Sequence, residues 1–169
     1  MAIRFKAGRS HVLLDELERC DLRLKLLALA VAGYVDRHFK RDVVVTEIYR
    51  TEAEQRAIYP NDPKTKSVHQ FGRGIDFGIR AYPAGELDPW PRPESLAVPA
   101  LEPGEIARID AFFSALLSYD DERPDFDSMV HHNVKGDHLH LQVSWRPTTR
   151  LRSDRSRLQL IGQQLGVTL

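Results

Sequence analysis

The segment Val43-Val44-Val45-Thr46-Glu47-Ile48-Tyr49-Arg50-Thr51-Glu52-Ala53-Glu54 changes its preferred backbone state partway along. The β-branched run from Val43 to Ile48, bounded by charged residues, predicts a buried strand. Thr51 then has the character of a helix N-cap, and Glu54 completes a capping box, which predicts a short helix from Glu52 to Tyr59. Pro60-Asn61-Asp62-Pro63 closes that helix in a turn.

Working outward, Leu22, Leu26, Leu29, Val31 and Tyr34 recur near helical spacing and predict one long, nearly buried helix from Asp21 to His38. Leu13, Leu14 and Leu17 suggest a shorter helix before it. Towards the C-terminus, Gly74 to Ile79 alternates as a strand does, and Glu105 to Tyr119 is an amphipathic helix with Ile106, Ile109, Phe112, Phe113, Leu116 and Leu117 on its apolar face. Two further strands are expected over Ser128 to Val134 and His138 to Trp145, joined by the turn Lys135-Gly136-Asp137, with a last helix near Ser153 to Leu165. Pro83 to Pro103 holds six of the ten prolines and Trp90. A loop of this length either shapes a cleft or packs as a surface insertion. With no internal repeat and no linker, residues 1–169 are read as a single α+β domain, a small antiparallel sheet flanked by helices.

The composition is that of an ordinary globular chain: 42% hydrophobic and 28% charged residues in 169 argue against wholesale disorder. Lys+Arg and Asp+Glu both number 24, a balance that recommends neither a nucleic-acid nor a membrane partner. The local basic stretch Arg146, Arg150, Arg152, Arg155 and Arg157 is read as a solvated loop and helix start. No sequence feature specifies an oligomeric state. A single cysteine, Cys20, excludes an intrachain disulfide and is read as a small core residue. The apolar run Leu24 to Val35 is too short to span a membrane. Asp15, Glu16, Glu18 and Asp21 precede it where a signal peptide would be basic, so a buried helix and cytoplasmic synthesis without an export signal are expected.

The chemistry gathers in three places: Ser67-Val68-His69-Gln70-Phe71-Gly72-Arg73-Gly74-Ile75-Asp76, Gly136-Asp137-His138-Leu139-His140, and Tyr49-Arg50-Thr51. A catalytic zinc site takes three protein ligands and keeps its fourth position open. His69 and Asp76 can supply two from a loop and the strand after it, with Gly72 and Gly74 relieving crowding at the bend, and His140 can supply the third from a neighbouring strand. Amide hydrolysis at such a site also needs a group that takes up a proton and hands it to the leaving amine. His138 and His140 emerge on one face of a strand, and Asp137 sits at that strand's start, so either Asp137 or His138 suits the task.

The pattern Ser-x-His-x-x-Gly-x-x-x-Asp followed by Asp-x-x-His resembles the zinc D-alanyl-D-alanine carboxypeptidases and dipeptidases. It resembles equally the L-alanyl-D-glutamate endopeptidases of bacteriophage endolysins, which share a fold with the hedgehog signalling domain and the lysostaphin-type peptidases. The resemblance runs from about Val43 to Val143. It implies a hedgehog/DD-peptidase-like fold, Zn2+ held by His69, Asp76 and His140, and hydrolysis of peptidoglycan stem peptides or D-alanyl peptides. Asp137 matches the acidic general base of that family, His138 the first histidine of a His-x-His pair found in part of the wider group, and Arg50 an arginine that meets the substrate or the developing oxyanion. Two positions depart from the pattern: Gly74 stands where the family often has alanine, and His138 where many members carry an aromatic or apolar residue. A chain without an export signal suits either a phage lysis enzyme released by another protein or a cytoplasmic dipeptidase. The rival expectation is a metal-binding module without catalysis, such as a phage structural part or partner-binding domain.

Taken singly, each histidine reads as a surface or capped residue, and only the joint pattern singles out the site. His131 and His132 are adjacent in a predicted strand, so at most one faces the site. His11 and His38 are read as solvated, and Trp90 and Trp145 as packing residues, with Trp90 also a candidate for lining a cleft.

Overall fold

The computed structural model describes residues 3–62, 64, 66–88, 96–118, 126–131 and 138–143. Strand β1 (Ile3–Phe5) leads into helices α1 (Ser10–Arg19) and α2 (Leu22–Phe39), then strand β2 (Val43–Glu47) and helix α3 (Glu52–Ile58). A 3-10 turn (Val68–Phe71) precedes strand β3 (Gly74–Gly78). Helix α4 (Pro103–Ser118) and strands β4 (Phe126–His131) and β5 (His138–Val143) complete the described elements.

The main core lies on one face of the sheet. Leu24, Leu27, Ala28, Val31, Ala32 and Val35 recur along α2 at helical spacing and pack with Leu13 and Leu17 of α1 and Ile106 and Ile109 of α4. The strands answer with alternate residues: Phe5, Val43, Val45, Ile75, Phe77, Leu139 and Leu141 all enter this cluster. Tyr34 of α2 stacks on Phe112 of α4 with ring centroids 4.2 Å apart. Cys20 packs against the same core, its Sγ donating to the Leu17 carbonyl at 3.2 Å, and burial pushes its thiol up to about 11. On the opposite face Val44 packs with Tyr82, Leu87 and Val98, where two backbone hydrogen bonds join Tyr82 to Val98.

Among the described residues the sheet has five strands, in the order β1-β2-β3-β5-β4. It is mixed, which corrects the expectation of a small antiparallel sheet: β1 pairs parallel with β2, Arg4 lying opposite Val44. Ile3-Arg4-Phe5 is too short and too charged to show alternation in sequence, and α1 with α2 forms the long crossover that parallel pairing requires. The other pairs are antiparallel. A register shift between Val45 and Glu47 leaves Thr46 as a bulge, so Glu47 falls opposite Asp76. Thr46 Oγ1 donates to the Asp76 carbonyl at 3.2 Å and fixes that irregularity.

Several elements fall close to their predicted bounds. Thr51 and Glu54 form both halves of the capping box. Within the long proline-rich loop, a 3-10 turn (Ala84–Glu86) and the Tyr82–Val98 bridge are ordered structure that the proline content hid. β4 starts earlier than expected, at Phe126. Asp137, His132, Trp90, Trp145, the basic stretch 146–157 and the expected last helix lie outside the described residues. Among the described residues no helix is long and apolar enough to cross a membrane.

Candidate metal centre

Strands β3 and β5 show how the site arises from strand alternation. Ile75, Phe77, Leu139 and Leu141 are committed to the core, so Asp76, His138, His140 and Gln142 belong to the opposite face. Antiparallel register sets Asp76 directly across from His140, Gly78 across from His138, and Gly74 across from Gln142. The third arm comes from the 3-10 turn. Ser67 caps it, accepting from the His69 amide at 3.3 Å, while Gln70 closes the capping box on the Ser67 amide. Gly72 ends the turn with φ of 62°, a left-handed conformation that a side chain would strain.

His69, Asp76 and His140 are all buried, and one donor atom from each lies within 4.8 Å of the others. His69 Nε2 is 3.4 Å and His140 Nδ1 2.7 Å from Asp76 Oδ1. A tetrahedral metal with bonds of about 2.0–2.1 Å spaces its ligand atoms about 3.3 Å apart. The first separation already matches, and the second needs to open by roughly half an ångström as a hydrogen bond gives way to a metal. The donor set, two imidazole nitrogens and a carboxylate oxygen, is one that borderline divalent metals accept. This cluster can therefore hold a metal ion.

The remaining ring nitrogens are engaged as metal-binding histidines require. His69 Nδ1 lies 3.0 Å from the Ile48 carbonyl, which leaves Nε2 to face Asp76. His140 Nε2 lies 3.1 Å from Gln142 Oε1. The Arg50 amide donates to the His69 carbonyl at 3.3 Å, so the end of β2 and the 3-10 turn hold each other from both sides. Burial alone would raise the Asp76 carboxyl. The hydrogen bonds from His140 and His69 and their charge outweigh it and hold the group well below the usual carboxylate range. For His69, burial would lower the pKa, and the hydrogen bond and charge of Asp76 reverse that to raise it.

His138 stands at the edge of this cluster with about a quarter of its side chain exposed, its Nε2 3.9 Å from Asp76 Oδ1. The Arg50 side chain is largely buried. Its Nε donates to Glu47 Oε1 at 3.1 Å, its Nη2 to the other oxygen of the same carboxylate, and its Nη1 to Gln55 Oε1 at 2.8 Å. Burial works against the guanidinium charge, and the Glu47 contact outweighs it, so the pKa is raised.

The structure thus brings together His69, Asp76 and His140, places His138 beside them, and seats Arg50 on the same loop network. His131 lies opposite His138 in the strand register, and exposed His38 is against the Tyr34 ring at 4.3 Å. Sequence reasoning missed Gln142, Glu47, Gln55 and the Ile48 carbonyl. Gln142 was within reach, being two residues beyond His140 on the same strand face. Glu47 was hidden by the bulge, and buried Gln55 looks like a surface residue of a short polar helix. Comparison with models of known protein families, with curated proteins and with solved structures gives no match.

Proposed function

We propose that this chain is a zinc-dependent peptidase of hedgehog/DD-peptidase-like fold that hydrolyses peptide bonds in peptidoglycan stem peptides or other D-alanyl peptides. The observation that carries the proposal is the buried His69–Asp76–His140 cluster with a partly exposed His138 at its edge. The substrate class rests on the motif resemblance.

Zinc held there would supply Lewis acidity toward a carbonyl and a water. The chain's residues do the rest. Asp76, kept anionic, and the two histidines would hold the metal. Asp137, with His138 after it in sequence as partner, moves the proton to the leaving amine. Arg50 presents a fixed cation to the developing oxyanion or to a substrate carboxylate, and Glu47 and Gln55 keep it from swinging away.

Mass spectrometry of purified muropeptides and D-alanyl peptides after digestion, with and without a chelator, tests the proposal. The expected result is release of a defined fragment that chelator abolishes and zinc restores. Zinc-loaded protein that releases nothing sinks it. His138→Ala and Asp137→Ala are expected to lose turnover and keep zinc. The 3.9 Å approach of His138 to Asp76 also admits a second reading, a closed four-ligand site in a module without catalysis. Loss of zinc from His138→Ala with no turnover in the parent chain identifies that module.

A further inference from the structure

We infer that Gln142 is a positioning residue that braces Nε2 of His140 and so keeps Nδ1 turned toward the metal. The inference rests on the metal reading of the His69–Asp76–His140 cluster and goes beyond it, because nothing in the motif includes position 142.

The two histidines approach Asp76 through opposite nitrogens, His69 by Nε2 and His140 by Nδ1. A neutral imidazole carries its proton on whichever nitrogen is not donating a lone pair, so each ring needs a different tautomer. For His69 the tautomer is set by the Ile48 backbone carbonyl at 3.0 Å, which no substitution removes. For His140 the corresponding partner is a side chain, Gln142 Oε1 at 3.1 Å from Nε2.

Three features hold Gln142 to this task. It lies two residues from His140 on β5, so strand alternation puts both on the face away from the core. Its register partner on β3 is Gly74, which brings no side chain between them. A Cβ at Gly74 would also lie 3.2 Å from His140 Cε1, so the glycine leaves the ring the place from which it reaches Gln142. An amide suits the position because it offers both an acceptor and a donor. It accepts from Nε2–H when Nδ1 is on a metal, and it can turn its NH2 to a bare Nε2 when Nδ1–H is bonded to Asp76. Glutamate at this place can only accept, which favours the metal-loaded tautomer.

The test compares Gln142→Met, which keeps length and loses the acceptor, with Gln142→Glu, which keeps the acceptor. Zinc affinity is read by competition with a chromophoric chelator, independently of any peptidase assay, and the His140 tautomer by 15N chemical shifts of the zinc-loaded protein. Gln142→Met is expected to bind zinc about 10- to 100-fold more weakly. Gln142→Glu is expected to bind at least as tightly as the parent chain. The parent, loaded with zinc, is expected to show the proton of His140 on Nε2. Equal affinity of parent and Gln142→Met, weak binding by Gln142→Glu, or a proton on Nδ1 in the loaded parent overturns the inference. The last readout needs no variant to fold. A parent chain that takes up no zinc overturns the metal reading and this inference together, whereas a tight parent with an equally tight Gln142→Met overturns Gln142's role alone.

Discussion

Replacing Gly74 by alanine probes the packing on which the whole centre depends. Gly74 has no positive φ, so its backbone accepts alanine, and the loss of glycine's unfolded-state freedom favours the variant by about 0.5–1 kcal/mol. The new methyl, however, would lie 2.8 Å from Val68 Cγ2, 3.1 Å from His69 Cε1 and 3.2 Å from His140 Cε1. Overpacking of this kind costs about 1–3 kcal/mol. Each Cε1 lies between the two nitrogens of its ring, so any shift there moves the donor atom. Of that strain, about 1–2 kcal/mol borne by the donor geometry of the two rings corresponds to a roughly 5- to 30-fold loss of zinc affinity of the folded protein. The closest contact is with Val68, so Val68→Ala in the Gly74→Ala background is expected to recover part of the cost, the two ring contacts remaining. The parent, the two single variants and the double variant form a double-mutant cycle, read by chelator competition for zinc and by urea unfolding of the metal-free protein. Gly74→Ala binding zinc like the parent while gaining the full 0.5–1 kcal/mol in stability, with no coupling to Val68, would refute the crowding argument.

Zinc is expected to raise the melting temperature more at pH 7.5 than at pH 5.5. In the metal-free protein His69 has a raised pKa, so its pairing with Asp76 stabilises fully below the ordinary histidine value of 6.5 and is lost as pH rises through the raised value. Asp76 is depressed, so its share is present above 3.8 and is lost as pH falls through the depressed value. Proton and metal therefore compete most in acid, and thermal scans with and without zinc across that range check the sign. Thr51→Ala removes the capping box of α3 and should cost about 1 kcal/mol in urea unfolding, together with looser retention of Arg50 through Gln55. Leu139→Ala, on the core face of β5 between His138 and His140, should cost about 2–5 kcal/mol of stability while zinc affinity of the folded protein stays within about twofold. A large loss of affinity there would mean that the two faces of β5 are not independent.

Local chemistry wrote much of this protein into its sequence. The β-branched run at Val43, the Thr51–Glu54 capping box and the helical spacing of α2 concern neighbours in the chain, and each is visible within a few residues. Alternation likewise put His138 and His140 on one face of β5 and Leu139 on the other. Around His69 and Asp76 the glycines marked the bend, but the Ser67–Gln70 capping box of the 3-10 turn was not read from the sequence.

What tertiary structure decided depends on groups far apart in sequence. The parallel pairing of β1 with β2 turned an expected antiparallel sheet into a mixed one, because three residues have no pattern strong enough to announce a strand. The Thr46 bulge moved Glu47 opposite Asp76, and a register shift leaves no trace in composition. The Arg50 clamp joins Glu47, before it, to Gln55, inside a helix that looks wholly exposed. The opposite nitrogens of His69 and His140, one ring backed by a backbone carbonyl and one by Gln142, follow from where each ring is held in space. Sequence names the side chains that can bind a metal, but a tautomer is chosen by the atom on the far side of the ring, and only the fold brings that atom into place.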